Sequence, residues 1–195
     1  MEHILVEIMS RLTPLTSQEK LAIEDSFPIK NFDKGTYLLK KGEIATEAYF
    51  VIKGCIRAYE IMDGEEKTIA FFTENQSAAN FNSLANEEPS ILNFVCSEDT
   101  TVAICNVEKE AALYQKYPRF ETFCRTGMEK MMGNQQAQLT SYMTMKPEQR
   151  YLDLLAKRPN LIQRVPQHQL ASFLGIKPQS LSRIRGRIIR KERDR

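Results

Sequence analysis

The sequence predicts an α+β protein: an antiparallel β-barrel or jelly roll behind N-terminal helices, then a long helix, then a helix-turn-helix. Three observations predict it. Short β-branched and aromatic runs, separated by glycine turns, fill residues 29–107. An apolar stripe at helical spacing fills residues 118–145. Two short helical patterns joined by a tight turn lie in the basic last quarter. The expected domains are 1–117, 118–145 and 146–195.

Residues 3–25 read as helix broken at Pro14, with Ile4, Leu5, Ile8 and Leu12 on one face. Thr16-Ser17-Gln18-Glu19 forms a start signal before Leu21, Ala22 and Ile23. Strands are expected at 36–39, 48–52, 56–61, 67–72, 93–95 and 101–107. Asp33-Lys34-Gly35, Lys41-Gly42-Glu43, Lys53-Gly54 and Asp63-Gly64 are the turns, and Asp63-Gly64 is a hairpin signal.

Tyr117-Pro118 opens the long helix. Phe120, Phe123, Cys124, Gly127, Met128, Met131 and Met132 recur every three to four residues. The stripe resumes at Leu139, Tyr142 and Met143 after the polar Asn134-Gln135-Gln136-Ala137-Gln138. Such a stripe serves either a monomer core or a parallel coiled coil. A lone helix-turn-helix reads one short half-site, which favours a homodimer. Its seam is expected at Phe120, Phe123, Gly127, Met128, Met131, Leu139 and Tyr142. Pro147 marks a hinge, and residues 148–161 are expected as the first helix of the basic domain.

Residues 146–195 hold thirteen basic and four acidic residues, a net +9. The whole chain is +2, which leaves −7 for residues 1–145. A basic end on an acidic body points to a polyanion at one end only. Within that end, Leu170, Phe173 and Leu174 line one helix face and Ala171 leaves room for a crossing helix. Gly175 suits a left-handed helix end, and Pro178 suits the first turn of the next helix. Leu181 and Ile184 pack inward. An ordinary helical hairpin has the same pattern; the charge asymmetry selects double-stranded DNA as partner. Gln179 and Arg183 are expected at base edges, with Lys177, Ser180, Ser182, Arg185, Arg187 and Arg190 mainly at phosphates.

Hydrophobic residues make up 42% and charged residues 27%, ordinary for a globular protein. No apolar run is long enough to span a membrane, and residues 1–14 lack the basic start and apolar core of a signal peptide. A cytoplasmic location and no membrane partner are expected. Cys55, Cys96, Cys105 and Cys124 are not at metal-ligand spacing and read as buried free thiols, with a redox role as the alternative. His3 and His168 stand apart, so no metal or cofactor is expected. No nucleophile–base pair argues for an enzyme.

The order of elements, with three local patterns, resembles the Crp/Fnr family of bacterial transcription regulators. Phe32-x-Lys34-Gly35-x-Tyr37-Leu38-x-Lys40-x-Gly42 resembles the start of that family's barrel. Tyr49-Phe50-Val51-Ile52-Lys53-Gly54-x-Ile56-Arg57 resembles its next strand and turn. Leu170-Ala171-x-x-Leu174-Gly175-Ile176, then Ser180-Leu181-Ser182-Arg183-Ile184, resembles its helix-turn-helix. The resemblance implies a cyclic-nucleotide-binding-like double-stranded β-helix, a dimerisation helix and a DNA-binding domain. RNA polymerase and an unidentified small-molecule effector are further partners it admits.

The departures are as informative. Cyclic-nucleotide binders of the family carry Gly-Glu, then Arg-Ser/Thr-Ala, around the phosphate. Here Asn80 and Phe81 stand at the first pair and no arginine follows Pro89. Residues 68–108 contain no Lys or Arg, so no fixed cation is rebuilt nearby. Control by cyclic AMP is therefore not expected. The polar residues left for an effector pocket are Asn80, Asn82 and Ser90, beside Phe81. Gln135 and Gln136 either meet a neutral or cationic ligand or mark register in the seam. An N-terminal cysteine cluster and a haem-binding histidine are missing too. Pro178 and Gln179 replace the Arg-Glu that opens the recognition helix of well-known members, so target bases should differ. Residues 188–195 are too short for the usual β-hairpin wing; a basic tail is expected instead. The competing function is a small-molecule-binding barrel that acts through protein contacts and keeps a relic DNA domain.

Overall fold

The computed structural model describes residues 3–193, and the side chains of residues 3–190. The chain divides into two compact units, one of residues 1–58 and 71–133, the other of residues 59–70 and 134–195. This differs from the three expected segments. The long helix is shared between units, and a hairpin tip from the barrel strands joins the C-terminal unit.

The first unit opens with α1 (Ile4–Leu12) and α2 (Ser17–Ser26). His3 caps α1: its Nδ1 accepts from Leu5 N at 3.3 Å, and its Nε2 lies 2.7 Å from Phe27 O. The predicted capping box forms, with Thr16 N donating to Glu19 and Glu19 N donating to Thr16 Oγ1. Glu19 also pairs with Arg119 at 2.6 Å. The Thr16 amide first, then the Thr16 hydroxyl and Arg119, hold its carboxyl below the usual range against the opposing effect of burial.

Eight strands follow: β1 (Ile29–Phe32), β2 (Tyr37–Leu39), β3 (Glu47–Lys53), β4 (Ile56–Met62), β5 (Glu65–Phe72), β6 (Ser77–Ala78), β7 (Asn93–Cys96) and β8 (Thr100–Asn106). They form two four-stranded sheets in the orders β1-β8-β3-β6 and β2-β7-β4-β5. This is the jelly roll that the sequence predicts. β1 and β6 lie outside the predicted strands; β1 is mostly exposed and β6 has two residues, so neither shows an alternating apolar pattern. Asp63 and Gly64 both have positive φ, as a two-residue hairpin turn of this type requires.

The period of two in β3 joins the barrel to its helices. Tyr49 and Val51 are buried on one face. Phe50 and Ile52 turn the other way, onto a cluster of Leu5, Val6, Met9, Ile23, Phe27, Leu113 and Phe120. That cluster draws on α1, α2, α4 (Val107–Lys116) and the start of α5 (Arg119–Thr144). Phe120 is fully buried there, its ring 5.6 Å from that of Tyr117 and 6.4 Å from that of Phe123. This corrects the expected seam: Phe120 is consumed by the core of its own chain, and Phe123 packs against the same cluster. Helical spacing alone does not separate the first turns of a core helix from those of a coiled coil. Cys55 and Cys96 are buried, Cys105 and Cys124 half-buried, and none of the four is in a disulfide.

The second unit contains the later part of α5, then α6 (Pro147–Lys157), α7 (Pro159–Arg164), α8 (Gln167–Phe173) and α9 (Pro178–Arg193). The single helix expected over 148–161 is broken at Arg158, because the residue before a proline avoids the helical region. The basic tail expected after Arg187 is a continuation of α9 through Arg193. Asp194 and Arg195 lie outside the described residues.

Candidate nucleic-acid interface and effector region

α8 and α9 are joined by a tight, hydrogen-bonded turn. Ile176 N donates to Ala171 O at 3.0 Å and Gly175 N donates to Ser172 O at 2.9 Å. With Gly175 at φ +68°, this is the paired-bond helix end that a left-handed residue makes. α9 then starts at Pro178, where the missing N–H costs nothing. Leu170, Ala171, Leu174, Leu181 and Ile184 are buried, as are Tyr151, Leu154, Leu161 and Val165 of the preceding segment.

The opposite side of α9 is open. Lys177, Gln179, Ser182, Arg183, Arg187 and Arg190 are exposed; Ser180 and Arg185 are half-buried. Gln179, Arg183 and Arg190 recur at helical spacing on one face, and Arg183 Nε donates weakly to Gln179 O at 3.4 Å. Arg187, assigned above to phosphate, pairs with Glu148 of α6 at 3.0 Å. It ties α9 to α6 and is less free to leave than Arg183 or Arg190. Tyr142, assigned to the seam, lies with its hydroxyl against Gly175, and the Arg150 guanidinium stacks 4.4 Å from its ring centre. Nothing in the residue types at 142, 150 and 175 announces that contact, because a tyrosine on an apolar stripe reads as core or seam.

Nearly all of α5 from Arg125 onward is exposed in the single chain, Met143 included, and among its exposed side chains are Met128, Met132, Gln135, Leu139 and Tyr142. Their spacing of four, three, four and three is the heptad period. Met132 is 71% exposed and Leu139 61%. Gly127 is exposed and Met131 half-buried beside this stripe.

The residues expected at an effector pocket are spent locally. Asn80 Nδ2 donates to Ser90 Oγ at 2.7 Å, and the Ser90 hydroxyl donates to Leu92 O at 2.7 Å. Asn80 Oδ1 accepts from Ser83 N and caps α3 (Phe81–Asn86). Asn80 and Ser90 are buried, so this knot ties α3 to the following loop. Phe81 and Asn82 are exposed, Asn82 reaching Glu88 at 3.3 Å. Gln135 and Gln136 are exposed on α5.

Elsewhere the barrel has a cleft of about 440 Å³, lined among others by Leu39, Glu43, Glu47, Tyr49 and Phe94. Its lining holds two carboxylates and no basic residue. The single proton of the Tyr49 hydroxyl is shared between Leu38 O at 3.0 Å and Glu47 at 3.2 Å; burial, with Glu47 beside it, pushes its phenol above the usual range. The sequence reading missed this cleft, because Glu43 and Glu47 flank a turn and read as solvated charge. Among the described residues no group of His, Cys, Asp and Glu is placed to hold a metal ion, and no helix is long and apolar enough to cross a membrane.

Residues 29–117 match the family model of the cyclic nucleotide-binding domain. Known structures share the fold across nearly the whole chain. A c-di-GMP-responsive global regulator, CLP, of Xanthomonas campestris is 15% identical with a TM-score of 0.68, over 91% of this chain and 93% of that one. A CooA variant from Carboxydothermus hydrogenoformans is 12% identical with a TM-score of 0.67, over 94% and 83%. FixK2 from Bradyrhizobium japonicum is 15% identical with a TM-score of 0.67, over 85% and 86%. No curated protein sequence matches. The chain thus shares the fold of these structures, and its barrel region, residues 29–117, matches the cyclic nucleotide-binding domain.

Proposed function

We propose that this chain is a sequence-specific DNA-binding transcription regulator of the Crp/Fnr type, a cytoplasmic homodimer and not an enzyme. The observation that carries the reading is the exposed face of Gln179, Arg183 and Arg190 on α9, held over buried Leu181 and Ile184 by the Gly175 turn. A basic helix presented this way fits a major groove, and Arg183 suits guanine O6 and N7. Arg183→Ala is expected to lose about 1–3 kcal/mol of discrimination at one base pair per half-site. Arg190→Ala should weaken all sequences alike and lower the salt slope by about one. Selection from a random DNA pool, followed by titration of both variants, checks this. An equal, sequence-independent loss in both would make Arg183 a phosphate contact.

Dimerisation rests on the exposed heptad stripe of α5 and on the need for two recognition helices about 34 Å apart. Met132→Glu puts a charge in that stripe and is expected to give monomers in sedimentation. An unchanged dimer would move the interface off α5.

Cyclic AMP and cyclic GMP are not its effectors in this reading. Asn80 and Ser90 bond each other, and the barrel cleft offers Glu43 and Glu47 to an anion. Burying a phosphodiester with no cation to meet it is costly. Titration calorimetry should show no saturable binding of either nucleotide; micromolar binding with a matching gain in operator affinity overturns the point. The cleft suits a neutral or cationic effector better.

A further inference from the structure

β5 is the outer strand of its sheet, so alternate residues carry N–H and C=O groups with no strand to pair with. Unpaired edge groups of this kind need a partner. At Glu66 and Thr68 a single side chain supplies it. The Thr68 N–H donates to Ser172 Oγ at 2.9 Å, and the Ser172 hydroxyl donates to Glu66 O at 3.2 Å. Ser172 takes the place that a residue of a neighbouring strand would take. It is in α8, one residue before the end of that helix. Thr68 is buried at this contact.

The same hairpin carries charge to the turn. The Glu65 carboxylate pairs with Lys67 and also feels Lys177, and both hold it below the usual carboxylate range, Lys67 more strongly. Lys177 is the residue before α9 that would meet a phosphate. In a helix-turn-helix the first helix crosses the DNA backbone while the second enters the groove. The hairpin thus engages the helix that would face the backbone, Glu66 O taking the Ser172 hydroxyl as a phosphate oxygen would, while the Glu65 carboxylate adds a negative charge toward Lys177 without touching it.

We propose that the tip of the β4–β5 hairpin is a built-in clamp on the helix-turn-helix, docked on α8 through Ser172 and competing with DNA for that end of α8. The clamp rests on the DNA-binding reading above. Loosening it raises affinity for DNA of any sequence, because what is released is a backbone contact and not a base contact. A ligand or partner that draws the hairpin away would act in the same direction.

The test uses the full chain and a labelled mixed-sequence duplex, read by fluorescence anisotropy at low salt. Thr68→Pro removes the donated N–H without touching α8 or α9; proline is tolerated where an edge strand's N–H points outward. Glu65→Gln removes the charge and keeps the shape. Each is expected to bind the duplex roughly three- to tenfold more tightly, the equivalent of one lost hydrogen bond. In parallel, Ser172→Ala should speed hydrogen exchange at the Thr68 amide about tenfold. Wild-type affinity in both Thr68→Pro and Glu65→Gln, or unchanged exchange at Thr68 in Ser172→Ala, overturns the clamp while leaving DNA binding intact. Failure of the wild type and every variant to bind the duplex, with faster Thr68 exchange in Ser172→Ala, sinks the DNA-binding reading itself, and the clamp with it.

Discussion

Gly54→Ala is expected to destabilise the barrel by about 4 kcal/mol, the sum of backbone strain and overpacking. Gly54 joins β3 to β4 at φ +105°, a region that residues with a Cβ rarely enter. An added Cβ would also lie 2.7 Å from both Asp99 O and Thr100 Cα, and 2.6 Å from Thr100 Oγ1. Two of these three atoms are backbone and have no rotamer to yield. Thr100 is buried and its hydroxyl is held on Glu98 O at 2.7 Å, so the third has little freedom either. Urea unfolding followed by circular dichroism measures the loss. Thr100→Ala in the same background should recover little, since it removes only the side-chain clash. A loss under about 1 kcal/mol would mean that the turn rearranges freely, contrary to a site with both strain and collision.

Much of this molecule is legible in its sequence, for reasons that differ from element to element. The hairpin at Asp63-Gly64 is legible because few residue pairs accept two positive φ values in succession. The capping box at Thr16 and Glu19 is legible because both partners lie within one turn. The helix-turn-helix is legible because Gly175 and Pro178 mark one helix's end and the next one's start. What escapes is what depends on distant partners. Asn80 reads as a polar residue free for a ligand, yet Ser90 satisfies it. Arg187 reads as a free cation, yet Glu148, 39 positions earlier, holds it. Ser172 and Thr68 are 104 residues apart, and no local pattern pairs them. In each case the residue type is right for the function inferred, and tertiary partners decide whether its polar group is available.

Phe120→Ala is expected to cost about 3–5 kcal/mol in unfolding, the usual range for emptying a buried aromatic site. The side chain is fully enclosed among α1, α2, α4 and β3, and the Arg119 guanidinium lies 5.6 Å from its ring centre. Truncation leaves a cavity bounded by Tyr117, Phe123 and Leu113, which are anchored by their own backbones and collapse only in part. The same variant separates the two readings of the α5 stripe. A core position loses stability and keeps its dimer; a seam position loses the dimer first. Met132→Glu is the opposite case, since its side chain is 71% exposed in the single chain. Chemical unfolding at a fixed protein concentration, with sedimentation of the folded species, reads both quantities; concentration must be fixed because dimer stability depends on it. Phe120→Ala should lower the midpoint while the sedimenting mass stays dimeric. Met132→Glu should halve the mass, with the barrel's secondary structure kept. Folded, stable Phe120→Ala monomers would return Phe120 to the seam, and would mean that the first turns of α5 separate from the barrel core when two chains meet.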